Sequence, residues 1–283
     1  MREGPRFLGA EASFEEARVV ILGCPFDATA SFRPGARFGP GAIRVASDSL
    51  ETYSPALDAD LEGRALCDLG DLELPHGEKG EALERIGRAA AEVLAAGKVP
   101  FALGGEHLIS LPLVEQAAAR HDDLALLQWD AHCDLREEYL GERLSHTTVM
   151  RRASEWLREG SLFQFGVRSG TREEFELARR WGSLRPLSAE AVEEVLRATG
   201  ERALYLTLDL DALDPASLPG TGTPEPGGVS FGELAAAIAA LRGTGERLVG
   251  VDVVELCPPH DPSGTSAVVA AKAVREILLC ILP

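Results

Sequence analysis

Six side chains that could hold metal ions stand at the ends of three apolar runs. In Leu204-Tyr-Leu-Thr-Leu-Asp209-Leu-Asp211 the run ends in two carboxylates at period two. A short apolar run of this kind reads as a buried strand, and alternate strand residues share a face, so Asp209 and Asp211 converge. Two carboxylates so placed raise each other's pKa unless a cation neutralises them. Leu124-Ala-Leu-Leu-Gln-Trp129 repeats the design, because Asp130, His132 and Asp134 follow it at the same period. The third run, Val99-Pro-Phe-Ala-Leu103, exits through Gly104 and Gly105 to Glu106 and His107. Four carboxylates and two imidazoles exceed the three or four protein ligands one catalytic ion takes, so the set predicts two ions. A single Asp after a strand is more often a turn residue or a helix cap. Recurrence at three strand ends favours ligation. Oxygen-rich donors with two imidazoles suit a hard-to-borderline ion such as manganese.

Those ends need a scaffold that brings them together. Apolar runs at 19–22, 65–69, 99–103, 124–129, 162–165, 184–187, 204–209 and 247–254 read as strands. Helical spacing or caps mark 78–96, 108–120, 171–181, 188–198, 231–242 and a last helix from near 263 to 282. Ser188 is an N-cap candidate, and Ser230 with Glu233 forms a capping box. This alternation predicts a mostly parallel sheet, either open with helices on both faces or closed as a barrel. In both, sites gather at the carboxyl ends of strands. Residues 1–18 read as a surface lead-in. The Gly- and Pro-rich stretch 31–44 reads as a loop before a helix that closes one side of the site or makes a subunit contact, its arginines paired with local carboxylates or capping helices. Cys133 points away from the ligands by strand alternation. His76, His121 and His260 have no motif around them. With no repeat or linker, the chain reads as a single catalytic domain, 1–283.

A formal charge of −17 disfavours nucleic acid and favours encounter with cationic solutes. Five scattered cysteines without C-x-x-C spacing argue against a disulfide framework. No basic-plus-apolar leader and no membrane-length run is visible, so a soluble cytoplasmic protein is expected, with no membrane partner. The absence of Asn and the excess of Arg over Lys suggest a thermophile or a GC-rich genome.

Gly-Gly-Glu-His-Leu-Ile-Ser (104–110), Asp-Ala-His-Cys-Asp (130–134) and the segment 207–228, from Thr-Leu-Asp-Leu-Asp to Thr-Pro-Glu-Pro-Gly-Gly, resemble the three signatures of the ureohydrolase family of arginase and agmatinase. Arg-Pro-Gly-Ala-Arg-Phe-Gly-Pro (33–40) is similar to a segment of agmatinase-type members. The resemblance spans nearly the whole chain. It implies an open three-layer α/β/α fold with a mostly parallel eight-stranded sheet, shared with deacetylases, and two Mn2+ per subunit. His107, Asp130, Asp134 and Asp209 would hold one ion, and Asp130, His132, Asp209 and Asp211 the other, with Asp130 and Asp209 bridging. Glu255 matches the family's guanidinium-binding glutamate and His146 its proton-relaying histidine; Asp211 is counted with them as catalytic. The reaction implied is hydrolysis of a guanidinium to urea and an amine, in a homo-oligomer, trimer or hexamer.

Arginases carry an asparagine after Asp-Ala-His-x-Asp for the substrate's carboxylate, whereas this chain reads Leu135-Arg-Glu-Glu-Tyr139. Glu137 and Glu138 could instead welcome a distal ammonium. The expected substrate is therefore a small cationic guanidino compound, agmatine or aminopropyl-agmatine, in polyamine and spermidine biosynthesis. The alternatives are an arginase, a guanidino-acid ureohydrolase and a single-zinc deacetylase-like hydrolase. Glu106, Thr147 and Cys257 depart from the family's usual Asp, Gly and Asn.

Overall fold

A computed structural model describes residues 4–282. In chain order its strands are β1 (Val19–Cys24), β2 (Tyr53–Ser54), β3 (Ala59–Asp60), β4 (Leu66–Asp71), β5 (Val99–Gly104), β6 (Ala125–Trp129), β7 (Leu162–Phe165), β8 (Leu184–Arg185), β9 (Leu204–Asp209) and β10 (Leu248–Val254). Its helices are α1 (Gly39–Ser47), α2 (Lys79–Ala95), α3 (Ser110–Ala118), α4 (Val149–Ala153), α5 (Arg172–Trp181), α6 (Ala189–Thr199), α7 (Phe231–Ala239) and α8 (Thr265–Ile281). Eight strands form one sheet in the order β4-β1-β5-β10-β9-β6-β7-β8, and every pairing in it is parallel. The sheet is open. β2 and β3 make a small antiparallel hairpin outside it, an element with no periodic signal in the sequence.

Strand alternation divides the core into two faces. Phe101, Leu103, Leu127, Trp129, Leu206, Leu208, Val251 and Val253 pack with α1, α6, α7 and α8, whereas Ala102, Leu126, Leu162 and Tyr205 pack with α2, α3, α4 and α5. Residues of both parities are buried because helices cover both faces, as an all-parallel sheet requires. The result is the three-layer α/β/α arrangement rather than the barrel. No described helix is long and apolar enough to cross a membrane.

The lead-in is not a surface segment. Phe7, Ala10 and Ala17 are buried, and the Phe7 amide donates to Asp68 Oδ2 at 2.8 Å; residues 1–3 lie outside the described residues. The same carboxylate takes Arg44 Nε at 2.8 Å and Nη2 at 2.9 Å, and Arg44 also reaches Asp71. Arg37 binds Asp27, so two of the three arginines in 31–44 pair with carboxylates, whereas Arg33 lies over the Phe32 ring at 5.1 Å. Arg44 and Asp68 lock the amino-terminal segment and α1 onto β4.

Four adjacent strands at the sheet's centre, β5-β10-β9-β6, carry the three ligand runs and the strand that leads to Glu255. The exits of β1 and β5 touch at Gly105, where a Cβ would sit 1.8 Å from the Phe26 carbonyl oxygen. Only glycine permits that approach.

Candidate metal centre and active site

His107 Nδ1 lies 3.0 Å from Asp130 Oδ2, 3.1 Å from Asp134 Oδ2 and 3.3 Å from Asp209 Oδ2. It is buried and has no aligned hydrogen-bond partner among the described residues. The other ring nitrogen explains why this matters. Nε2 is 2.9 Å from Thr207 Oγ1, whose own proton goes to Asp252 Oδ1 at 2.6 Å. The hydroxyl can then only accept, so Nε2 carries a proton and Nδ1 is the atom that faces the three carboxylates; burial alone would lower the ring, but Asp130, Asp134 and Asp209 raise it well above its ordinary value. Without an ion, a proton on Nδ1 answers those carboxylates; with a metal cation in its place the four groups are a ligand set.

A second group adjoins the first. His132 Nδ1 is 2.9 Å from Asp211 Oδ2 and 3.6 Å from Asp130 Oδ1, so Asp130 belongs to both groups. All six ligand candidates therefore meet at one place. Four carboxylates carry four negative charges, which two divalent cations would balance. The oxygen-rich donor set fits that pair.

Burial and mutual repulsion perturb the acids of the cluster, while against burial Asp211 and Asp130 raise His132 well above its ordinary value. Burial, with the charge of Asp130 second, pushes Asp134 up to about 7. Burial followed by Asp211 and Asp130 raises Asp209 well above the carboxylate range. Glu255 is raised to about 8 by burial and then by Glu106. Glu106 is itself raised to about 7, burial outweighing its hydrogen bonds from Thr29. Asp134 and Glu255 also hold left-handed backbone conformations, φ 54° and 67°. Non-glycine residues in that region store strain of the kind that collects at functional sites.

Several partners of the ligands carried no motif. Asp252 accepts from Tyr205 at 2.7 Å and Ser110 at 3.0 Å as well as from Thr207. Gln128 Nε2 donates to Asp130 Oδ2 at 2.7 Å, and Gln164 Nε2 donates to Gln128 Oε1 at 2.7 Å. Asp211 accepts from the Ala131 amide at 3.1 Å and the Thr223 hydroxyl at 3.2 Å. A polar residue inside an apolar strand run was the available signal for Gln128, Gln164, Thr207 and Asp252.

His146 and Glu255 line a recess of about 10 Å³ together with Ser31, Arg33 and Thr223. Glu255 Oε1 accepts the His107 amide at 2.7 Å. His146 is depressed to about 4, by burial first and then by the nearby His107 and His132. Glu137 is engaged by Arg143, Arg151 and Arg152 at 3.0–3.1 Å, whereas Glu138 is exposed. Cys133 packs in the core under α2–α5. His76 is exposed, His121 is partly buried, and His260 Nε2 lies 3.3 Å from the Pro34 carbonyl oxygen. None of these three belongs to the cluster.

The family model for the arginase family matches residues 17–280. An agmatinase of Bacillus anthracis is 45% identical over 278 residues, covering 98% of this chain and 96% of that protein. A human mitochondrial guanidino acid hydrolase is 36% identical, covering 98% of this chain and 81% of that protein. Among solved structures, the agmatine ureohydrolase of Thermoplasma volcanium superposes with a TM-score of 0.87 at 32% identity, over 99% of this chain and 95% of that one. The chain belongs to the arginase family, the ureohydrolases whose signatures its three ligand runs resemble.

Proposed function

We propose that this chain hydrolyses the guanidinium group of agmatine, or of aminopropyl-agmatine, to urea and the corresponding amine, a polyamine-building reaction, with two manganese ions per subunit. The observation that carries this reading is the meeting of two His/Asp groups that share Asp130 beside a buried glutamate and a histidine. Similarity to agmatinases over nearly the full chain supports the substrate. Residues 1–283 act as one catalytic unit. The exposed Phe38, Val45 and Val268, on or beside α1 and α8, support burial of that face against further copies in a homo-oligomer.

His107, Asp130, Asp134 and Asp209 would hold one ion, and Asp130, His132, Asp209 and Asp211 the other. When bound, such a pair lowers the pKa of a shared water toward neutrality. The protein's own residues do the rest. Glu255 binds and orients the guanidinium, whose positive charge favours the ionised carboxylate against burial. His146 relays a proton to the departing nitrogen, which would otherwise leave as a strongly basic amide. Holding the planar cation at a fixed angle to the nucleophile removes much of the entropic barrier.

Urea release from manganese-loaded protein, measured in parallel on agmatine, aminopropyl-agmatine, arginine and guanidinobutyrate, tests the reading. Agmatine or its aminopropyl derivative should exceed arginine at least tenfold in kcat/KM, about 1.4 kcal/mol of differential transition-state binding. A preference for arginine or guanidinobutyrate overturns the substrate. One tightly held zinc with no urea from any of them would favour a deacetylase-like hydrolase instead.

A further inference from the structure

Glu106 is a buried carboxylate beside the cluster that takes no part in the chemistry above. Its side chain accepts three hydrogen bonds, all from Thr29: the backbone amide at 2.9 and 3.1 Å, and the hydroxyl at 2.5 Å. The Thr29 hydroxyl is in turn 3.1 Å from the His146 amide and 3.2 Å from His146 Nδ1. A hydroxyl has one proton to give and two lone pairs. With the proton committed to Glu106, both lone pairs are left to accept, one from the His146 backbone and one from Nδ1–H. The neutral imidazole therefore keeps its proton on Nδ1 and turns an unprotonated Nε2 outward. There Nε2 meets the exposed Ser31 hydroxyl at 3.1 Å, on the wall of the recess it shares with Glu255. Ser145 Oγ, 3.4 Å from Nδ1, is a weaker contact that leaves this assignment unchanged.

We infer that Glu106 and Thr29 form a positioning pair that fixes the tautomer and orientation of His146, so that Nε2 alone exchanges protons with the recess. The inference rests on the proton-relay reading of His146. Neither residue touches substrate; both act through the imidazole. Thr29 is the more informative of the two, because its hydroxyl can be removed without altering the charge of the site.

A double-mutant cycle on the manganese-loaded full chain tests this. Thr29→Val should keep the metal content and the KM of the parent and lower kcat roughly tenfold or more, a share of the about 10²–10⁴-fold that general acid–base help supplies. Thr29→Ser, which restores the hydroxyl, should recover most of it. In a His146→Ala background the Thr29→Val change should cost nothing further, since the group it orients is gone. An unchanged kcat for Thr29→Val beside a crippled His146→Ala overturns the pair and leaves the relay standing. An equal loss in both backgrounds also overturns it, because Thr29 would then act elsewhere. If His146→Ala alone leaves turnover unchanged, the relay reading fails and the pair with it. Should Thr29→Val not fold, Thr29→Ala carries the same cycle with the same outcomes.

Discussion

Stripping divalent ions from this protein should destabilise it, and by more at pH 8 than at pH 5. Asp130, Asp134, Asp209, Asp211 and Glu255 are all buried within one cluster. In the ion-free fold Asp134 titrates at about 7 and Glu255 at about 8, with burial the main cause in both. Unfolded, they would titrate near their usual values of about 3.9 and 4.3. Between about pH 4 and pH 8 the ion-free native state therefore holds protons that the unfolded chain has released. Stability from these groups is full below the unfolded values and is lost as pH rises through the folded ones. Divalent ions bind the deprotonated ligands, displacing the proton on Asp134 and disfavouring the one on nearby Glu255, so the loaded protein should show less of the decline. At an ion concentration of about 100 times Kd, each site adds about 2.7 kcal/mol, and two add about 5 kcal/mol. For a chain of this size about 1 kcal/mol moves Tm by roughly 2–4 °C, giving a gap of about 10–20 °C at pH 8. Thermal scans at one fixed rate, with manganese or with a chelator, would read it. A gap of equal size at pH 5 and pH 8, or no gap, would refute the coupling between buried carboxylates and bound cations.

Asp130→Ala should lose both ions by elemental analysis, because Asp130 is common to both groups; retention of one full equivalent would show that the groups are independent. Asp252→Asn should weaken manganese binding by about 10–100-fold through Thr207 and His107, as changes behind a ligating histidine do, and calorimetric titration would show it. Arg44→Ala strands the buried Asp68 and should cost about 3–5 kcal/mol in denaturant unfolding without altering metal content.

What the sequence made legible was local. The apolar runs placed Asp130, Asp134, Asp209 and Asp211 at or just past strand ends, but turns rather than strand alternation bring them together: β9 stops at Asp209 with Asp211 in a 3-10 turn, and β6 stops at Trp129 with Asp134 at φ 54°. Hydroxyl caps marked helix starts. Ser188 accepts the Ala191 amide, and Ser230 with Glu233 closes a capping box, because a cap depends on neighbours three residues away. The order of strands is a different kind of property. Nothing within the β10 run says that it lies between β5 and β9, yet that neighbourhood is what carries Glu255 to the His107 amide. The resemblance to a family supplied Glu255 and His146; spacing alone would not have separated them from a helix cap and a loop histidine. The burial of the lead-in is non-local for the same reason: Phe7 packs in the core with Leu57, Leu61 and Leu66, and its amide binds Asp68 of β4, partners far away in the sequence.

One signal in the strands could have been read further. Gln128, Gln164, Thr207 and Asp252 are buried polar residues inside otherwise apolar strands. Each shares parity with a neighbour that packs under α2–α5: Leu126, Leu162, Tyr205 and Val254 respectively. The opposite parity is apolar throughout β6 and β9, where Leu127, Trp129, Leu206 and Leu208 pack beneath the other helix layer. A buried amide or carboxylate without a partner costs about 1–3 kcal/mol or more, so these residues must answer one another or a ligand. Gln164 answers Gln128 and Gln128 answers Asp130, while Asp252 answers Thr207 and Thr207 answers His107. Both polar lines run along one face of the sheet and end on candidate ligands. A face that gives up apolar contact in four neighbouring strands β7, β6, β9 and β10 does so where fixed orientation of those ligands offsets the loss, and parity within apolar runs is the sequence trace of that exchange.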